Sequence, residues 1–574
     1  MDDLKRRCCE RWAALKTERS SWMPHWQEIS EVLVPRSGRF MLADTNRGDK
    51  RHRAILDNTG TRALRTLAGG MMAGMTSPAR PWFRLTTMDP ELDESYEVKS
   101  WLEQVTSMMQ MIFNRTNVYR ALHTAYEELG AFGTSATIIY DDPDKAIHCM
   151  PLTVGEYAIA TDGRGRVNTL YREFRMTVSQ VVQEFGYGNC SEMTKKAFDD
   201  HNYDVWVTVV NAIEPRNMRN PEKLDNLNMA YRSVYFEPGS EDGRLLRESG
   251  FRNFPCLCGR WGVSGGDIYG TSPGMEALGD LNQLQREQLR KSQAIDYQAN
   301  PPVLVPADLK DYETSIVPGG TVFVDSAAQA QMVRSAFDVN LNLQYLLQDI
   351  QDVRSRINEA FYKDIFMMLT EQGGDRMTAT EVSERHEEKM LMLGPVLDRL
   401  NSEMLDPLIS LVFERLVSMT KVDPATGELV GVLPELPDEL QGVELNVDFI
   451  SILAQSQKAV TTNAIDRFTN SLGVIAGMKP EVLDKLDADH WADVYADSLG
   501  IDSRLIVPGK QVALIRQQRA EQLAQQQRAE QAAQAASAMK DVGAAMGSMG
   551  GMGGSPGQIE PMAPEEIANM YSGY

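Results

Sequence analysis

Two long helical stretches, 274–298 and 338–369, stand on either side of a short insert, and few folds accommodate that order. Ser272-Pro273 opens the first, because Pro fits a first helical turn where its missing N–H is not needed. Asn300-Pro301-Pro302 ends it. At 1.5 Å per residue its ~25 residues span about 38 Å. The second carries Leu343, Leu346, Ile350, Val353, Ile357 and Ala360 at a three-four spacing, which predicts one apolar face. At ~32 residues, or about 48 Å, it outlasts an ordinary globular helix. Such helices return antiparallel and leave the insert, 303–337 with its strand-like Gly319 to Val324, at their far end.

Upstream the pattern is helical from Asp2 to about Val34, with an aromatic face (Trp12, Leu15, Trp22, Trp26) interrupted near Pro24. Asn58 to Met75 and Glu97 to Gly130 read as further helices. Then come short β-rich runs at Ala136–Tyr140, Ala146–Leu152, Tyr157–Thr161, Val167–Phe174, Val205–Ile213 and Ala230–Phe236. They predict an antiparallel meander backed by the preceding helices, hence an α+β fold. Downstream, Glu371-Gln372-Gly373-Gly374-Asp375-Arg376 breaks the second long helix, and Thr378 with Glu381 forms a capping box that starts another. That helix is expected to kink at Gly394-Pro395 and run to about Met419. The stretch 421–450 is acidic, with seven carboxylates against one Lys, and 443–453 reads as a strand. A smaller helical region follows to about Leu505. Residues 510–540 form a helix with little apolar face, which needs neighbours, and Met546 to Gly557 is a low-complexity tail.

The 574 residues imply three or four domains. A formal charge of −22 argues against a protein that coats nucleic acid, since phosphate neutralisation needs a basic face. Six scattered cysteines fit a reducing compartment, and Cys256 and Cys258 read as strand residues rather than half a zinc site. The N-terminus has charges where a signal peptide needs an apolar core, and Thr66 to Ala79 is too short to span a membrane. A soluble, cytoplasmic chain is expected, with no cofactor and no metal. Chemistry finds no support. Gly509-Lys510 has Arg504 where a phosphate loop needs Gly, and His386-Glu387-Glu388-Lys389-Met390 lacks the second His of a zinc protease helix. Gly270-Thr271-Ser272-Pro273-Gly274 fails as a nucleophile elbow because Pro273 has no oxyanion-hole N–H, and Ser264 in Gly262 to Gly266 precedes a poor helix start. Asp162 to Arg166 is a hairpin turn, and so are Asp141, Asp142 and Asp144 around Pro143, more readily than a calcium site.

The order of parts resembles that of phage portal proteins, and more narrowly the head-to-tail connector family of short-tailed phages (podoviruses). The residues carrying the likeness are Asn58-Thr59-Gly60-Thr61-Arg62-Ala63 with Trp82-Phe83, and Asp267-Ile268-Tyr269-Gly270-Thr271-Ser272-Pro273 leading into Leu278-Gly279-Asp280-Leu281-Asn282. Pro301-Pro302 and Met377-Thr378-Ala379-Thr380-Glu381-Val382 belong to it too, and it reaches to about Gln527.

The resemblance implies a portal-type fold: a wing (1–273, with 443–453 open to returning to its sheet), stem helices 274–298 and 338–370, and an αβ clip at 299–337. It also implies a tunnel loop at 371–377, a kinked tunnel and crown helix at 378–420, a crown at 421–509, a C-terminal barrel helix at 510–545 and a flexible tail at 546–574. It implies a non-enzymatic dodecamer at one capsid vertex of the virion, assembled in the host cytoplasm. Duplex DNA would pass its channel, and a packaging ATPase (terminase), tail or adaptor proteins, capsid and scaffolding proteins would be its partners. Glu371, Gln372, Gly373, Gly374, Asp375 and Arg376 would then project into that channel. The other class of reading is a structural or adaptor protein of the virion that never encloses DNA. In either class, the seam of 343–360 and the helix 510–540 are each expected to be covered by a neighbouring subunit.

Overall fold

The computed structural model describes residues 2–40, 50–89, 92, 95–142, 144–223, 225–240, 242–299, 303–304, 334–335, 343–368, 393–422, 429–451, 465, 468–477, 479–499, 507 and 512–528. It divides into one unit, Met1–Ile501, and a second, Asp502–Tyr574. Helices and antiparallel sheets occur together in the first, so the class is α+β.

The N-terminal helical stretch is two helices, α1 (Asp2–Arg19) and α2 (Met23–Val32), because Pro24 falls in the first turn of α2 and the chain turns just before it. α3 is Thr59–Met75. The stretch read as one helix from Glu97 to Gly130 is divided at Thr116-Asn117 into α4 (Tyr96–Arg115) and α5 (Val118–Phe132). Asn117 accounts for the break: its side-chain amide donates to the Cys149 carbonyl and its oxygen accepts from the Cys149 N–H, so it serves the neighbouring strand.

The single expected meander is two sheets. β2 (Ala136–Asp142) lies between β3 (Ala146–Leu152) and a short β9 (Cys256–Leu257). β4 (Tyr157–Thr161), β5 (Val167–Thr177), β6 (Trp206–Pro215), β7 (Tyr231–Phe236) and β8 (Arg247–Phe251) form a five-stranded antiparallel meander in chain order. Strand alternation sends Val210, Ala212, Val234 and Phe236 to one face, where α1 covers them with Cys8, Trp12 and Leu15. Val209 and Tyr235 point the other way, under α6 (Val178–Phe185). That helix lies between two β-runs, with α7 (Glu192–Asp199) after it, and gives the sheet a helix on both faces. Thr177 starts α6 with a capping box, its N–H donating to Gln180 Oε1 at 2.9 Å. The strand expected at 443–453 is β14 (Leu445–Phe449), and its partner is β1 (Phe83–Thr87), not the meander.

The first long helix is a single turn, α8 (Pro273–Glu276), followed by α9 (Leu278–Ala299). The second is shorter than its pattern: α10 (Leu343–Ala360) stops, Tyr362 takes a left-handed φ of 54°, and α11 (Lys363–Met368) follows. A straight helix would carry Phe366 on the side opposite Ile350. The break turns it inward, leaving Phe361, Ile365 and Phe366 all buried. The seam is also covered within the chain, contrary to the expectation that a neighbour covers it: Ile350, Val353 and Ile357 sit in the main core with Leu346 and Ala360 against it.

Arg356 pairs with Asp280 near the start of α9. Asp349, two turns earlier on α10, lies beside Glu287, two turns later on α9. The two helices are therefore antiparallel. Of the insert between them, β10 (Val303–Leu304) and β11 (Arg334–Ser335) pair antiparallel and hold its two ends together. The strand-like 319–324 lies outside the described residues. The expected kink at Gly394-Pro395 turns on the carbonyl of 391, which lies outside the described residues; 393–400 are helical. The irregularity is a π turn at Asn401–Leu405, followed by α12 (Asp406–Ser418). Pro407 offers no N–H to the Glu403 carbonyl, which is the position at which the regular ladder fails. A hairpin of β12 (Thr420–Val422) and β13 (Leu429–Gly431) opens the acidic stretch, and α13 (Ala488–Leu499) comes later.

In the second unit residues 512–528 are helical, with Leu514, Ile515 and Leu523 exposed. No helix of the described residues is long and apolar enough to cross a membrane.

Candidate functional site

The segments singled out in the sequence converge on one junction. Gly60, in the first turn of α3, faces Leu281 of α9 so closely that a Cβ there would stand 2.3 Å from a Leu281 methyl. Asp57, just before α3, is 7% exposed and is held from three sides. Arg354 of α10 donates to its Oδ2 through Nε and Nη2 at 3.1 and 2.7 Å, and Gln288 of α9 donates to the same oxygen at 2.9 Å. Its Oδ1 accepts from the Thr59 N–H and hydroxyl at 2.9 and 2.6 Å. Burial alone would push this carboxyl up, but the bonds from Thr59 and Arg354 outweigh it and hold it below the usual carboxylate range. Gln285 completes the knot, its Oε1 accepting from the Leu56 and Asp57 N–H groups and its amide donating to the Asp57 carbonyl. One loop thus locks both antiparallel helices.

The second motif does the same at the start of α9. Ser272 caps α8 by accepting from the Met275 N–H at 3.0 Å and donates to the Ala131 carbonyl at the end of α5. That assigns the serine of the second G-x-S-x-G string to capping, while Ser264 of the first lies exposed in a loop. The Tyr269 hydroxyl accepts from the Ile159 N–H, and its ring packs against Trp22 and Trp26. Trp82, Phe83, Phe113 and Phe449 stack where β1 meets β14.

Polar groups buried elsewhere are structural as well. Arg260 pairs with Glu403 of the π turn and reaches the Gly165 carbonyl, tying α12's leading turn to the hairpin Asp162–Arg166. In that hairpin Asp162 accepts from the Arg164 and Arg166 N–H groups, as a turn residue does. Asp142 accepts from the N–H groups of Asp144 and Lys145, and Asp141 pairs with Arg415. Burial pushes the Cys256 and Cys258 thiols up and leaves them unreactive. Among the described residues no three His, Cys, Asp or Glu side chains are placed to hold a metal ion. Glu128 of α5 is buried; burial pushes its carboxyl up to about 8, although Thr153 Oγ1 and the Val154 N–H donate to it.

Glu371, Gln372, Gly373, Gly374, Asp375 and Arg376 lie outside the described residues, as does His386. The junction was missed as a site by sequence reasoning, since Asp57, Gln285 and Arg354 are far apart in the chain and carry no motif of their own.

The family described as bacteriophage head to tail connecting protein matches residues 5–507. This chain belongs to that family. It is 61% identical over 512 residues to the probable portal protein of Bordetella phage BPP-1, covering 89% of this chain and 90% of that one. It is 44% identical over 519 residues to the portal protein of Salmonella phage epsilon15, covering 90% of this chain and 91% of that one.

Proposed function

We propose that the chain is the protomer of a ring at one capsid vertex, through which duplex DNA is packaged, retained and ejected. The observation that carries the reading is family membership over almost the whole length, with both relatives named portal proteins. It favours the channel over a virion adaptor that never encloses DNA. In this assignment 1–273 form a wing, α9 and α10 a stem, the insert 299–337 a clip, 371–377 a tunnel loop, 421–509 a crown and 510–545 a barrel helix. Its partners are capsid and scaffolding proteins, a packaging ATPase and tail proteins. The chain contributes no catalysis of its own; the motor is separate.

The physics is compatible with that role. α9, with 22 residues, is about 33 Å long. Twelve helices spaced ~9–10 Å apart make a circle ~35–38 Å across, and subtracting one helix diameter leaves about 25 Å, enough for a duplex. Twelve copies of −22 give about −264 for the ring, a net charge that disfavours a broad grip on DNA and suits its passage. Class averages of purified protein by negative-stain electron microscopy test the reading. Closed rings with an open axial hole are expected, and particles without a hole would overturn it.

A further inference from the structure

The ring reading leaves open which surfaces of two copies meet, and the charge distribution answers that. Although the chain is acidic, cations gather on and beside α9. Lys50 and Arg53 precede the junction loop, and Arg286 and Arg290 occupy successive turns on the solvent side of α9. All four are exposed. Gln285, next to Arg286, binds the backbone of Leu56 and Asp57, so the end of the 50–57 segment meets this part of the helix, while Arg51–Ala54 just before it packs on α2. Of the carboxylates nearest to it, Asp57 is engaged by Arg354, Glu28 by Asn282, and Glu287 is buried inside the helix pair, while Asp296 stands exposed two turns beyond Leu289. Two leucines stand exposed among the cations, Leu56 at 54% and Leu289 at 48%.

The stretch 432–444, VLPELPDELQGVE, has the opposite character and contains no Lys or Arg. Glu435, Asp438, Glu439 and Glu444 are exposed, as is Leu436. Its backbone is fixed, since Trp101 Nε1 donates to the Pro434 carbonyl at 3.2 Å and Leu440 is buried. Among the described residues, none of these four carboxylates and none of the four cations has an ion-pair partner within the chain. Two unlike, complementary surfaces on one chain make a head-to-tail contact, the kind that closes into rings.

We propose that the acidic 432–444 surface of one copy docks on the Lys50, Arg53, Arg286 and Arg290 surface of the next, with Leu436 entering between Leu56 and Leu289. The apolar contact anchors, and the charges set partner and register. The occupant is a second copy of this chain, not nucleic acid.

Two variants test it, Arg286→Glu with Arg290→Glu, and Asp438→Lys with Glu439→Lys. Each alone cancels the net charge of one surface and sets like charges opposite one another in the contact, so sedimentation at low salt should show about tenfold or more free protomer than wild type. Mixed in equal amounts, they should recover wild-type ring content with copies alternating, which also shows that both are folded. The proposal is overturned if either variant assembles like wild type, or if the mixture assembles no better than its parts. It is equally overturned if the arginine variant keeps its rings and loses only affinity for a short DNA duplex. A wild-type chain giving no rings overturns the ring reading instead, and the two failures are distinct.

Discussion

Among the described residues, Glu128 is the one whose environment departs furthest from its solution chemistry while remaining within a usable pH range. Its neutral form is favoured in the folded chain, with the carboxyl pushed up to about 8 by burial. A carboxyl raised on folding costs nothing while both states are protonated. It costs progressively more as pH rises from about 4.5, where the unfolded group ionises, to about 8, above which the loss is complete. We expect the thermal midpoint of wild-type protein to fall across that window, with a stability loss on the order of a few kcal/mol. Glu128→Gln keeps the shape and can still bond Thr153 and Val154, so it should flatten the profile. An unchanged slope in the variant would show that the pH dependence arises elsewhere. Asp57 has the opposite sign: its lowered carboxyl stabilises above the usual carboxylate range and loses that contribution only as pH falls below it.

At the scale of elements, the loop 371–377 is the place where sequence and proposed function meet most sharply. The proposal gives that stretch two roles: Gly373 and Gly374 would let it change conformation at small cost, and Arg376 would offer a cation to phosphate beside Glu371 and Asp375. In the proposed channel one arginine per copy would give a ring of weak, screened contacts. Arg376→Ala, or shortening 372–375, should leave ring assembly intact and reduce the fraction of particles that retain full-length DNA, measured by the size of encapsidated genomes. Normal retention would remove the role. Most elements could be read from periodicity and turn residues, as the strands from 136 to 236 show. The misses have physical causes. Helix α6 hid behind a β-like composition, Val178-Ser179-Gln180-Val181-Val182, although its Thr177–Gln180 capping box was there to be found. The break at Tyr362 is imposed by burial of Phe366, which no local pattern announces. The Asp57 knot is invisible because its partners come together only when α3, α9 and α10 pack.

For the whole molecule, we propose that the insert between α9 and α10, at the far end of the antiparallel helix pair, is the contact for motor and tail. Its two ends are already paired through β10 and β11, so replacing the residues between them by a short linker should leave the rest folded. Such protein should keep its circular dichroism and lose binding to both partners in pull-down. Unimpaired binding would place the docking surface elsewhere. A further consequence concerns force. Phe366 of α11 is seated on Gly70 of α3, where a Cβ would stand 2.2 Å from the ring. The chain enters the 369–392 segment directly after this seat. In the proposed channel, a pull on that segment would load the Phe366 seat on α3 and the left-handed turn at Tyr362 before it reached the hydrogen bonds of α10.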